Sequence, residues 1–90
     1  MNVENFKKVL AQIEAHPETW DQTHWHCGTK HCFAGHAQNL ARGIVWTGRT
    51  FGDARNYLGL TDNEAGYLFN IWRTLRDFKV FLARKESGLS

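Results

Sequence analysis

Val3, Phe6, Val9, Leu10 and Ile13 recur at three- and four-residue intervals with polar residues between them. That period is the mark of a helix with one buried stripe. Pro17 disfavours helical backbone at His16, so the first helix is expected over about residues 2–15. The turn-rich segment from Pro17 to Thr23 follows, and Trp20 and Trp25 are placed to fold back onto the helices as large anchors. Gly28-Thr29 reads as a turn and an N-cap, because a threonine hydroxyl accepts from a free N–H of the next turn. A second helix is therefore predicted from about Lys30 to Arg42, stopped by Gly43.

The pattern is less regular between Ile44 and Phe51, where β-branched and aromatic residues flank Thr47-Gly48. A small hairpin and an irregular loop fit residues 44–51 equally well, since each arm has only about three residues. Asp53 is a candidate cap for a short helix through Leu58, with Gly59 as its left-handed stop. Thr61-Asp62-Asn63-Glu64 spells a capping box, which opens a helix with Ala65, Leu68, Phe69 and Trp72 on its inner side. Thr74-Leu75-Arg76-Asp77 is a weaker start signal of the same kind, followed by Phe78, Phe81 and Leu82. The chain thus predicts one all-α domain over residues 1–90, a bundle of four to five helices. Its expected core includes Phe6, Leu10, Ile13, Cys32, Phe33, Leu40, Leu58, Leu60, Leu68, Phe69, Phe78 and Leu82.

Composition narrows the role more than it names it. Ninety residues bury only about 60–65% of the surface that the unfolded chain exposes, so the core is thin. Four Trp and six Phe supply bulk to fill it. The formal net charge of +2 is too small to imply nucleic acid or an anionic membrane. Residues 46–90 hold seven basic against five acidic groups, with Arg73, Arg76, Lys79, Arg84 and Lys85 near the end. A solvated helix face accounts for that clustering. No segment reaches the roughly 20 apolar residues of a membrane span, and the N-terminus lacks the basic-then-apolar pattern of a secretory signal. The expected location is the cytoplasm, where thiols stay reduced and a Cys27–Cys32 disulfide is disfavoured.

Candidate chemistry is concentrated in one stretch, His24-Trp25-His26-Cys27-Gly28-Thr29-Lys30-His31-Cys32-Phe33-Ala34-Gly35-His36, which holds both cysteines and four of the five histidines. The run Cys27-Gly28-Thr29, two residues, Cys32, one residue, Ala34-Gly35, together with Leu58-Gly59-Leu60, Glu64-Ala65 and Leu68-Phe69, resembles a class of small helical proteins of bacterial and phage type. The resemblance covers about residues 1–75 and carries no activity or catalytic residue with it. Read from the residues themselves, Cys32 and His36 lie four apart on one helical face, with Cys27 and His24 or His26 upstream. They make a conceivable zinc site at thiolate and imidazole distances of about 2.3 and 2.0 Å. Structural zinc ordinarily joins two separated segments, whereas every ligand here is local. The preferred reading is packing: the cysteines act as small buried hydrophobes and no cofactor is held. A reactive Cys32 at a helix start lacks an oxyanion hole and a group to orient its histidine, so no catalytic residue is assigned.

The function expected is that of a non-enzymatic interaction module or regulator whose partner is another protein. Trp46, Tyr67, Trp72, Arg73 and Arg76 are the candidate contacts, since Trp, Tyr and Arg anchor most interfaces. A zinc-binding module using Cys27, Cys32, His36, His24 and His26 is the alternative. A nucleic-acid binder using the helix pair across Leu60–Asp77 is weaker still, because Leu75-Arg76-Asp77 offers no set of base-reading side chains.

Overall fold

The computed structural model describes residues 1–23, 26–27, 30–43 and 49–88. Five helices occupy most of this chain: α1 (Val3–Ala15), α2 (Phe33–Arg42), α3 (Thr50–Leu58), α4 (Asp62–Leu68) and α5 (Leu75–Glu86). Between α1 and α2 the described residues form a 3-10 turn, Pro17–Thr19, and a two-residue antiparallel pair, β1 (His26–Cys27) with β2 (Lys30–His31). The architecture is all-α, as the helical period requires.

The amphipathic stripe of α1 is buried as predicted, with Phe6, Val9 and Ile13 fully enclosed. Phe6 lies 4.9 Å from Phe33 of α2, and Phe33 lies 4.2 Å from Phe78 of α5, ring centre to ring centre. These three rings join three helices across the middle of the core. Each contributes roughly 2–3 kcal/mol by burial alone, so they are the main reason that α1, α2 and α5 converge.

The helix ends follow local chemistry. Asn2 caps α1 by accepting from the Asn5 N–H at 3.0 Å, and its own N–H donates to the Leu58 carbonyl at 2.7 Å. Gly59 closes α3 at φ +65°, and a Cβ there would sit 3.0 Å from the Asn2 backbone nitrogen. Glycine is needed at this position on both counts. The two capping boxes form as read: Thr61 with Glu64 opens α4 and Thr74 with Asp77 opens α5. Lys85 then reaches across to Glu64 at 2.6 Å, and its ammonium holds the Glu64 carboxyl below the usual range.

Four expectations need correction. The second helix begins at Phe33, capped by Cys32, because Lys30 and His31 spend their backbone on the pairing with β1 and on a bridge to Trp20. Asp53 lies inside α3, which starts at Thr50 after Arg49; its carboxylate is drawn sideways to Gln38 and Arg42. Leu40 is 39% exposed, since burial all round α2 ends at Gln38 and the last turn projects beyond its neighbours. Trp72 is 79% exposed and lies off α4 altogether. The helix stops at Leu68, and the Asn70 side chain accepts from the Trp72 N–H at 2.9 Å, which breaks the helical period. The 44–51 hairpin or loop falls mostly outside the described residues, as does Thr29; Thr50 and Phe51 are in the first turn of α3.

Candidate functional site

The described histidines of this stretch fold into one polar cluster. His26 on β1, His31 on β2 and His36 on α2 stand edge to face in a row, with ring centres 4.9 and 5.2 Å apart. Behind them lies Gln38, fully buried, which no reading of the stretch from sequence included. Its side-chain N–H donates to Asp53 at 3.1 Å, and its carbonyl oxygen accepts from the Thr50 hydroxyl at 2.9 Å. The same oxygen lies 2.7 Å from His26 Nε2, so His26 carries its proton there. His26 Nδ1 is then an acceptor, and His31 Nδ1, at 2.8 Å, is the donor. Arg42, Asp53, Gln38, His26 and His31 thus form one polar chain from α3 through α2 to the β pair.

Two imidazoles of the row, His31 and His36, are held neutral. Burial, reinforced by His36 and His26, lowers the His31 pKa from 6.5 to about 4. Burial likewise depresses His36, whose Nε2 donates to the Thr19 carbonyl at 3.0 Å. A second polar hub serves the helix termini. Buried Gln22 accepts from the Phe33 N–H at 3.0 Å and from the Trp20 indole at 3.2 Å, and donates to the carbonyls of Leu68 and Asn70. One amide therefore caps the start of α2 and the end of α4.

Of the five proposed metal ligands, His24 and the Cys27 side chain lie outside the described residues. Cys32 is 2% exposed, and its Sγ accepts from the Gly35 N–H at 3.3 Å. Its thiol is pushed up to about 11, burial outweighing the backbone donors, so it stays protonated at neutral pH and is a poor nucleophile. His36 is turned to Thr19 and His26 to Gln38 and His31. Among the described residues, no group of three or more His, Cys, Asp or Glu side chains is arranged to hold a metal ion.

The proposed partner contacts lie elsewhere, around the α4–α5 connection. Arg73 rests over the Tyr67 ring at 4.0 Å and donates from Nε to the Tyr67 carbonyl at 3.0 Å. Tyr67 and Arg76 line a cavity of about 340 Å³ with Asp77, Val80, Phe81 and Arg84. Trp72 projects from the turn before α5, and Trp46 lies outside the described residues. Val80, Phe81 and Arg84 were missed from sequence. The available signal was the four-residue spacing of Arg76, Val80 and Arg84, which sets them on one stripe of α5.

Compared with known proteins, the chain matches no family model, no curated protein and no solved structure. No helix among the described residues is long and apolar enough to cross a membrane.

Proposed function

We propose that this chain is a non-enzymatic helical module that binds another protein through the end of α4, the turn that follows and α5. One observation carries the reading. Of the six large apolar side chains exposed among the described residues, four (Tyr67, Ile71, Trp72 and Val80) fall within this short region, with Trp72 at 79% exposure. Single exposed apolar residues are ordinary, but a group of them rimmed by arginines is the composition of a contact surface. The protonated, enclosed thiol of Cys32 supports leaving the cysteine–histidine stretch to packing and not to catalysis.

The test is site-specific photo-crosslinking in the native host. A crosslinker at Trp72 or Tyr67 should give a discrete protein adduct, and one at Glu4, an exposed residue of α1, should give none. Equal labelling from both faces, or none from either, would remove the proposal.

The zinc alternative retains one point in its favour: His36 donates Nε2–H to the fixed Thr19 carbonyl, as metal-bound imidazoles do. Metal content and chelator response separate it from packing.

A further inference from the structure

Resting on that reading, the geometry of α5 points to the chemistry of the partner. Arg76, Val80 and Arg84 are exposed and follow one another at four-residue steps, about 6 Å of helix rise each, so the two arginines stand about 12 Å apart along the axis. Val80 lies midway. Tyr67 and Phe81 complete the apolar wall of the 340 Å³ cavity that this stripe lines. Phe81 stacks inward on Phe6 at 6.0 Å and Tyr67 lies 6.3 Å from Phe81, so the wall is anchored to the core.

The charges of this face are sorted. Lys79 is paired with Glu14 and Lys85 with Glu64, while Arg73 is committed to Tyr67. Asp77, the one acid in the cavity wall, is turned onto the N–H of Thr74 as part of the α5 cap. Arg76 and Arg84 have no ion-pair partner among the described residues. The face is therefore a guanidinium, an apolar seat and a second guanidinium, in helical register.

We infer that the partner presents an acidic amphipathic helix, with two carboxylates two turns apart flanking a leucine-sized apolar side chain. A helix repeats one face at the same 6 Å step, so all three contacts form together. Each arginine gives a carboxylate a forked, charge-assisted pair, and the apolar residue fills the space between Tyr67 and Val80. Two unpaired guanidiniums around an apolar centre fit a protein better than a nucleic-acid backbone, which needs a longer basic track.

The full chain is titrated with two labelled, helix-stabilised peptides. One carries Glu, Leu and Glu at four-residue spacing; the other has Lys in place of both Glu. The expected result is saturable binding of the acidic peptide that weakens as salt rises and falls by about tenfold or more in the Arg76→Glu, Arg84→Glu double variant. The lysine peptide should prefer that variant. Val80→Glu, which leaves both arginines in place, should also lose the acidic peptide, and far-UV circular dichroism checks that each variant is folded. Absence of binding, or binding untouched by the charge reversal, overturns the inference. Equal affinity of the parent chain for the lysine peptide also overturns it, while leaving the interaction reading standing. Tighter arginine-dependent retention of duplex DNA would assign the face to nucleic acid. Dimerisation abolished by the double variant would assign it to a second copy of the chain.

Discussion

Acidification is the perturbation that separates a buried neutral histidine cluster from a solvated one. In the native state His31 resists protonation until about pH 4, whereas an ordinary histidine of the unfolded chain takes up its proton near 6.5. The folded pKa lies below the unfolded one, and the group is a base. Between these values the unfolded state binds more protons, so stability is full above about pH 6.5 and falls as the pH drops toward 4. At about 1.4 kcal/mol per pKa unit, His31 alone removes about 2 kcal/mol between pH 7 and pH 5 and about 3 kcal/mol by pH 4. His36, depressed in the same direction, adds to the loss. Glu64 has the opposite sign of charge: its depressed carboxyl contributes stability that is lost only below the ordinary value of 4.5. The interval from pH 5 to pH 7 therefore isolates the histidines from it. Urea melts at pH 7, 6 and 5 should show the loss, and thermal melts a fall of about 10 °C in Tm for a chain of this size. His31→Asn should begin about 1 kcal/mol less stable at pH 7, for want of a hydrogen bond, but lose much less on going to pH 5. A parent protein equally stable at pH 5 and pH 7, or an asparagine variant with an unchanged slope, would show that His31 is not held neutral by the fold.

Gln22→Leu keeps much of the side-chain volume but leaves the buried Phe33 N–H and Leu68 carbonyl without their partner, so a urea melt should register a loss of about 3 kcal/mol; a change under 1 kcal/mol would mean that other groups satisfy those helix ends. Cys32→Ala should lose about 1–2 kcal/mol through a small cavity and the missing cap, with no response of Tm to EDTA. Stoichiometric zinc in untagged protein, with a Tm that falls on chelation and recovers when zinc is restored, would establish the metal site instead.

Local signals read along the chain correctly placed what depends on neighbours within a turn or two. The α1 stripe, the left-handed stop at Gly59 and both capping boxes are signalled by residues no more than four apart, so the chain itself carries the pattern that marks them. The tertiary structure decided what depends on backbone donors meeting partners from distant segments. Lys30 and His31 looked like helix but lie in a strand, because β1 and Trp20 pair with their backbone. Asp53 had the side chain of a cap but is held by Gln38, fifteen residues away. Gln38 and Gln22 were invisible as hubs, since an isolated glutamine carries no periodicity to mark it, and only the packed helices bring four polar groups to one amide. The stretch from His24 to His36 shows the same division. Its residue types announced polar chemistry at one place. Which nitrogens carry protons followed from burial and from hydrogen bonds to Thr19 and Gln38, which spacing along the chain does not encode.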